Sequence, residues 1–153
     1  MKVALSADER EALKEAAHHC LCQKARGAAR ALTRFYDRHF AGSGIEPTQF
    51  SLLVAIRLSE PVSLVQLAKY LGLERTTLTR NLRLLERDKL VRIESGKDAR
   101  QRLISLTEKG RRSLRQTLAL WQRAHHAAIS VLGKDHFEQL SAALSLANKF
   151  TEN

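Results

Sequence analysis

The segment Leu73–Val91, LERTTLTRNLRLLERDKLV, decides the fold that we predict for this chain. Its leucines at positions 78, 82 and 85 fall on one side of a helix, because successive residues are turned by about 100°. The opposite side carries arginine and threonine, and no acidic residue lies between Arg75 and Arg83. A side that only kept the helix soluble would usually include glutamate for pairing four residues apart. We therefore predict a helix from about Arg75 to Arg87 that buries its leucines and presents arginine to a binding partner.

The residues on either side of this segment predict a helix-turn-helix followed by a β-hairpin. Ser63 is expected to cap a short helix over residues 64–71 that Gly72 ends. Two helices joined by a tight, glycine-containing turn form a helix-turn-helix. Beyond it, residues 90–93 and 103–106 show the short, β-branched and alternating pattern of two strands around a polar loop. This hairpin would form the wing of a winged helix-turn-helix.

Helices with long apolar stripes are predicted at both ends of the chain. At the N-terminus, Ser6 and Glu9 form a capping box, and apolar residues then recur every three or four positions without interruption up to Gly42. These stripes are larger than a domain of this size can cover by itself, which predicts a homodimer. The predicted helices are one from Ser6 to Gly42, one from Pro47 to Pro61, one from Thr107 to Gly133 and one over residues 135–150.

The charge of the chain is positive and unevenly distributed. The 153 residues include 26 Lys and Arg against 16 Asp and Glu, a net charge of +10. Residues 61–110 alone hold eleven basic and six acidic residues, so the helix-turn-helix and the hairpin carry half of the excess. This favours a polyanionic partner. No apolar stretch is long enough to span a bilayer and no signal peptide opens the chain, so we expect a soluble, cytoplasmic protein without a membrane partner.

Two motifs resemble the MarR family of bacterial transcriptional regulators. The first is the run from Leu73 to Arg80 with Leu85–Val91, and the second is Asp98-Ala-Arg100 followed by Ile104-Ser-Leu-Thr-Glu-Lys-Gly110. The second matches the family pattern D-x-R, three residues, aliphatic-x-L-T-x-x-G at every defined position, and it joins the wing to the start of the next helix. Lys89 departs from the family, whose members more often carry glycine there. The conformation of the turn after the arginine-rich helix is therefore not predicted.

The resemblance implies a mainly α fold with a small β-hairpin wing, a winged helix-turn-helix with terminal dimerisation helices. Residues 46–106 would form the DNA-binding winged helix-turn-helix, and residues 1–45 and 107–153 the helical dimerisation region, in one continuous domain. Such a homodimer is expected to bind double-stranded DNA with a pseudo-palindromic operator, since its two recognition helices would lie about one DNA turn apart. The family usually represses transcription, and this is the function that we expect.

The recognition helix and the wing hold the side chains expected to contact DNA. Arg80 is best placed for a bidentate contact with guanine, and Arg83 and Arg87 for phosphate. In the proteins that the chain resembles, the arginine matching Arg100 enters the minor groove and the aspartate matching Asp98 orients it, although an aspartate also suits a turn. The predicted contacts are Ser63, Arg75, Thr76, Thr77, Thr79, Arg80, Arg83, Arg87, Lys97, Asp98 and Arg100.

Two mechanisms of regulation are compatible with the resemblance, because the family usually releases DNA when a small, often aromatic, ligand binds or when a cysteine is oxidised. A pocket for an aromatic or carboxylate ligand is predicted where the first two helices meet, although core packing is the simpler role for each residue alone. The predicted pocket consists of Tyr36, His39, Phe40, Phe50 and Arg57.

The redox alternative depends on Cys20 and Cys22, which otherwise pack as small apolar residues. Two residues apart on a helix, they point about 200° from each other and cannot bridge one another without unwinding it.

Other functions have less support in the residues. The charge alone permits a nonspecific architectural DNA-binding protein. An enzyme is not expected, because paired carboxylates, a nucleophile elbow and a phosphate-binding glycine loop are missing. His18 and His19 lie three or four residues from Cys22, but two ligands are too few for a metal site. We therefore predict no metal and no cofactor.

Overall fold

A computed structural model describes residues 5–96 and 101–151 of the chain. The chain divides into two compact units, Met1–Phe35 and Tyr36–Asn153. Among the described residues, no helix is both long enough and apolar enough to cross a membrane. In chain order the elements are α1 (Ala7–His19), α2 (Leu21–Phe40), α3 (Pro47–Ser59), β1 (Val62–Ser63), α4 (Leu64–Leu71), α5 (Arg75–Arg87), β2 (Val91–Ser95), β3 (Arg102–Leu106), α6 (Glu108–Leu132), α7 (Lys134–Leu146) and a 3₁₀-helix (Ala147–Thr151).

The prediction of one continuous N-terminal helix is wrong. Ser6 does cap the first helix, because its hydroxyl accepts the N–H of Glu9 at 3.1 Å, but α1 ends at His19. Cys20 is extended, with φ −63° and ψ 105°. Histidine and cysteine, the residues around the break, have low helix propensity. Apolar periodicity does not show this break, because the same spacing continues on both sides of a single non-helical residue.

The two helices of the helix-turn-helix, α4 and α5, have the predicted bounds, and specific residues fix the start of α3 and both ends of α4. Pro47 lies at the start of α3, where its fixed φ suits the first turn. Ser63 and Gln66 form a capping box at the start of α4, in which the Gln66 N–H donates to the Ser63 hydroxyl at 3.3 Å. Gly72 ends α4 in a left-handed conformation with φ 62°, which glycine adopts without a steric penalty.

The hairpin is part of a three-stranded antiparallel sheet in the order β1–β3–β2. β2 and β3 pair over their whole length, which confirms the predicted wing strands with slightly shifted ends. β1 is absent from the prediction, because two residues are too few to show a strand period. It pairs with β3 through Val62 and Ile104, and this pairing ties the start of α4 to the wing.

The hydrophobic core of the second unit is built around α3 and α5. α3 buries five of its residues, and α5 buries Leu78, Leu82 and Leu85. β3 adds Ile104 and Leu106. The leucine side of α5 is therefore buried, as predicted. At the C-terminal end, α7 is shorter than predicted, because its last turn continues as the 3₁₀-helix.

The junction between β3 and α6 packs against the C-terminal end of α5. The hydroxyl of Thr107 caps α6 by accepting the Gly110 N–H at 3.0 Å, and it donates to the carbonyl of Lys89 at 2.7 Å. Gly110 approaches the backbone so closely that a Cβ atom added to it would lie 2.0 Å from the carbonyl oxygen of Leu90. The threonine and the glycine of the T-x-x-G motif therefore have structural roles.

Lys89 forms the turn between α5 and β2 in a left-handed conformation, with φ 59°. Within the described residues, it is the only non-glycine residue with a positive φ. The left-handed helical region costs an L-residue roughly 1–2 kcal/mol. Glycine, which the family more often carries at this position, would adopt the same conformation without that cost.

We expect Gly110→Ala to lower the free energy of unfolding by about 1–3 kcal/mol, the range for overpacking an interior, because the opposing atom belongs to the backbone. Chemical denaturation measures the change. Gly27→Ala is the matched control. Apart from its chain neighbours and the backbone of its own helix, the nearest atom that a Cβ at Gly27 would meet lies 4.0 Å away on the flexible side chain of Arg30, and alanine favours the helix. Equal effects of the two substitutions would contradict the packing role of Gly110.

We expect Lys89→Gly to raise the free energy of unfolding by up to about 1 kcal/mol, because relief of the left-handed strain outweighs the extra freedom of glycine in the unfolded chain. Thermal denaturation is the measurement, with Lys89→Ala as the control that keeps the Cβ atom. A glycine variant less stable than the alanine variant would show that backbone conformation does not govern this turn.

Candidate nucleic-acid interface

α5 presents two chemically opposite sides. Leu78, Leu82 and Leu85 are 0%, 2% and 0% exposed, and full burial of a leucine contributes about 1.5–3 kcal/mol. On the opposite side, Thr76 and Arg80 are exposed to solvent. The leucines fix the rotation of the helix about its axis, and this rotation directs the arginine side away from the core.

The three threonines of α5 are not equivalent. Thr76 is exposed, whereas Thr77 and Thr79 are half-buried. The hydroxyl of Thr79 donates to the carbonyl of Arg75 at 2.7 Å, so its hydrogen is used within the helix. Thr76 is therefore the most accessible of the predicted threonine contacts.

An open cleft of about 380 Å³ separates α5 from the wing strands. Arg83 of α5 and Arg102 of β3 line it, together with Glu86, Thr79 and apolar side chains that include Leu82 and Ile104. Arg102 is missing from the predicted DNA contacts. Its place directly before the predicted strand 103–106 is the sequence signal that could have identified it. The cleft thus adds a second basic residue to the surface that contains Arg83.

Arg87 is engaged by the next residue in the chain. Its Nε and Nη2 atoms donate to the two carboxylate oxygens of Asp88 at 2.9 and 3.3 Å. The hydrogen bond and the charge of Asp88 raise the pKa of Arg87, and the same hydrogen bond lowers the pKa of Asp88. As a unit the pair is close to neutral, so Arg87 offers less net charge to a phosphate than Arg83 does. The sequence prediction treats the two arginines alike, because adjacency does not reveal a bidentate contact.

Ser63 and Arg75 lie at the starts of the two helices of the helix-turn-helix. The hydroxyl of Ser63 donates to Oε1 of Gln66 at 2.8 Å and accepts the Gln66 N–H, so the capping box uses it in both directions. Arg75 is exposed in the first turn of α5. Contact of Ser63 with DNA would need its remaining lone pair or an opened cap, and it stays a prediction.

The wing strands are described up to Gly96 and again from Gln101, where the Gly96 N–H donates to the Gln101 carbonyl at 2.7 Å. The predicted wing contacts Lys97, Asp98 and Arg100 lie outside the described residues. Their roles stay predictions.

Comparison with known proteins identifies the family of this chain. The MarR family pattern matches residues 43–101, which contain α3, the helix-turn-helix and β2. The M. tuberculosis transcriptional regulator MosR, solved in complex with DNA, is 39% identical and is matched over 88% of this chain and 97% of that chain, with a TM-score of 0.80. This chain belongs to the MarR family.

Two further comparisons are consistent with membership in the MarR family. A second structure of M. tuberculosis MosR is 38% identical, covers 86% of this chain and 97% of its own, and has a TM-score of 0.72. The HTH-type regulator YwoH of Bacillus subtilis is 28% identical over 81 residues, and the match spans 59% of its length and 53% of this chain. The helices and three-stranded sheet of the structure, together with its match to MosR, confirm the predicted winged-helix fold. MarR-family members are transcriptional regulators, which confirms the non-enzymatic class.

The predicted effector residues of this MarR-family chain are only partly brought together. The rings of Phe40 and Phe50 meet edge to face with centroids 5.3 Å apart, and Tyr36 contacts Phe40 at 6.1 Å. Both phenylalanines are buried. Partial burial of the Tyr36 hydroxyl raises the pKa of that residue. Arg57 is exposed and pairs instead with Glu60, at 3.3 Å between Nη1 and Oε1.

The aromatic contacts extend beyond the predicted pocket. Phe50 stacks on Trp121 with centroids 6.2 Å apart, and Trp121 stacks on His125 at 4.8 Å. His39 lies half-buried in the last turn of α2. The sequence places Trp121 and His125 on the apolar side of α6, but a helical pattern does not show which element that side meets.

Cys20 and Cys22 are both exposed free thiols. Their expected position within one continuous helix is wrong, because Cys20 is the extended residue between α1 and α2. The angle of about 200° assumes helical geometry at both residues and so does not apply. A redox role stays a prediction. In the part of the chain that the structure describes, no group of three or more His, Cys, Asp or Glu side chains could hold a metal ion.

Proposed function

We propose that this protein is a sequence-specific regulator that binds double-stranded DNA through α5 and the wing. The observation that carries the proposal is the exposed Arg80 side of α5, opposite a fully buried leucine side. A major groove admits one α-helix, whose outward side chains meet base edges while the other side stays on the protein. The DNA complex of MosR, 39% identical to this chain, supports DNA as the ligand.

Within this proposal the side chains of the interface have different tasks. Arg80 contacts guanine in the major groove, and Thr76 contacts a phosphate or a thymine methyl group. Arg83 and Arg102, which line the cleft between α5 and the wing, neutralise phosphates. The wing tip keeps the minor-groove role that the family resemblance implies for Arg100.

A homodimer completes the proposed DNA-binding unit. Large apolar side chains of α6 and α7 are exposed on the single chain, as is typical of a surface that a second copy covers. Two-fold symmetry would set the two α5 helices roughly 34–36 Å apart and would require a pseudo-palindromic operator. The exposed side chains are Leu118, Val131, Leu132, Leu144 and Leu146.

Repression, with release by a small aromatic or carboxylate ligand, is the regulatory part of the proposal. The contacts of Tyr36 with Phe40 and of Phe40 with Phe50 support a ligand that carries an aromatic ring. The exposure of both cysteines supports the thiol-based alternative.

The competing function is nonspecific, architectural DNA binding, which the net charge of +10 alone permits. A regulator should prefer its operator over random duplex DNA by about 10³ or more at fixed salt. Footprinting of the DNA upstream of its own gene, followed by affinity measurements on the protected site, gives this ratio. A ratio near one, without a protected palindrome, would favour the architectural function.

We expect Arg80→Ala to weaken operator binding by about 1–3 kcal/mol and to change binding to random duplex DNA little, because a bidentate base contact supports only the correct sequence. Arg83→Ala is the matched control on the same helix, and it should weaken both duplexes alike and reduce the salt slope by about one. Fluorescence anisotropy at several salt concentrations measures both effects. Equal losses on the two duplexes for Arg80→Ala would rule out its role in base recognition.

Asp88→Asn is expected to strengthen binding to any duplex DNA. The substitution releases the Arg87 guanidinium and removes one negative charge beside it, so the salt slope should steepen by about one. Glu138→Gln is the control, since it removes the same charge from the pair with Lys134 on α7. A similar gain for both variants would show that net charge, rather than the released arginine, is responsible.

A further inference from the structure

Glu60 is a largely buried carboxylate that belongs neither to the arginine side of α5 nor to the predicted effector residues. It follows α3 directly, and its side chain is 10% exposed. Oε1 pairs with Arg57 of α3 at 3.3 Å and with Arg111 in the first turn of α6. Oε2 accepts the N–H of Leu106, the last residue of β3, at 2.7 Å. One carboxylate therefore joins the end of α3, the end of β3 and the start of α6.

The register of the sheet explains why a side chain is needed at this point. β1 pairs with β3 through Val62 with Ile104, and continuing this register by two residues sets Glu60 opposite Leu106. β1 begins only at Val62, so the ladder itself provides no acceptor opposite the Leu106 N–H. The Glu60 carboxylate supplies the acceptor that a longer strand would have supplied.

The surrounding charges make Glu60 the common partner of two cations. Arg111 is 28% exposed, and its other acidic contact, Glu108, is 77% exposed and 3.6 Å away. Removal of the Glu60 charge would leave Arg57 and Arg111 near each other without the carboxylate between them. An unpaired charge in a largely buried position is costly, because the protein replaces only part of its hydration.

The Glu60 contacts complement those on the other side of the β3–α6 junction. There, Thr107 and Gly110 fix the junction to the C-terminal end of α5. Glu60 fixes the same junction to the end of α3. The base of the wing and the end of α5 are thus held in one arrangement by contacts that lie away from the arginine side of α5.

We propose that Glu60 is a positioning residue for DNA recognition, which sets the wing relative to α5 through Leu106 and Arg111 without contacting DNA itself. This inference rests on the proposed DNA-binding function. A pair that braces the β3–α6 junction affects affinity by limiting the arrangements in which the wing and α5 both reach their grooves, and such couplings change affinity by about tenfold.

A double-mutant cycle on the full-length protein tests the pair. Glu60→Gln keeps an acceptor for the Leu106 N–H but removes the charge, and we expect it to weaken operator binding about tenfold with the oligomeric state unchanged by sedimentation. The double substitution Glu60→Gln with Arg111→Gln should recover part of this loss, because no charge at Arg111 is then left without its buried partner. Glu108→Gln, which removes the exposed partner of the same arginine, is the control and should bind as the unmodified protein does.

Two outcomes of this cycle would overturn the inference. One is an unchanged operator affinity for Glu60→Gln. The other is strict additivity, in which the loss for the double variant equals the sum of the losses for Glu60→Gln and for Arg111→Gln alone, because independent effects would show that the pair does not act as one unit.

Amide hydrogen exchange of the free protein separates this inference from the proposed function, because it needs no DNA. Glu60→Ala removes the acceptor, and the Leu106 amide should then exchange at least about tenfold faster, while the amides of Leu78–Leu85 in α5 keep their rates. Unchanged exchange at Leu106, or equal acceleration in α5, would overturn the positioning role. If the unmodified protein shows no preference for any duplex, the proposed function fails, and the exchange rates still decide whether Glu60 fixes the base of the wing.

Discussion

The burial of Leu78, Leu82 and Leu85 is the constraint on which the rest of the structure depends. A rotation of α5 by about one residue, roughly 100°, would expose part of this leucine side and turn charged side chains toward the core. The three leucines together contribute about 5–9 kcal/mol, which is comparable to the total stability of a typical domain, about 5–15 kcal/mol. Exposing even part of this side would therefore cost a substantial share of the stability of the domain. The direction of Arg80 is fixed by the core and not by any contact of Arg80 itself.

Rotation fixes which side of α5 faces outward, but the β3–α6 junction fixes where α5 lies relative to the wing. Thr107 bonds to the carbonyl of Lys89, Gly110 packs on the carbonyl of Leu90, and Glu60 accepts a backbone N–H from β3. Each contact ends on the backbone, so none depends on the rotamer of a second flexible side chain. The T-x-x-G motif therefore stabilises the scaffold and does not determine which DNA sequence is bound. Under the proposed function, sequence preference comes from the exposed side chains of α5 and the wing.

The sequence was sufficient wherever a local pattern determines a local structure. Leucine spacing gave the orientation of α5, and Gly72 gave the end of α4, because both depend on neighbours within a few residues. The break at Cys20 could not be predicted, because one extended residue leaves the apolar spacing intact. The contact between Arg87 and Asp88 depends on a side-chain rotamer, which a local pattern does not determine. The bond from Glu60 joins residues 46 positions apart, so no periodicity could indicate it. Exposure of the candidate site was thus predictable, but the pairing of its charges was not.

The pairing of arginines decides what the positive charge can do. Arg57, Arg87 and Arg111 are each held by a neighbouring carboxylate, so much of their charge is already neutralised within the protein. Within the described residues, none of the ion pairs involves Arg80 or Arg83, and both are exposed on α5. A guanidinium without a protein partner can bind a base or a phosphate without first giving up another bond, so it contributes its full electrostatic attraction. Arg80 and Arg83 are therefore available to DNA on the side of α5 that the buried leucines turn outward, which the net charge of the whole chain does not show.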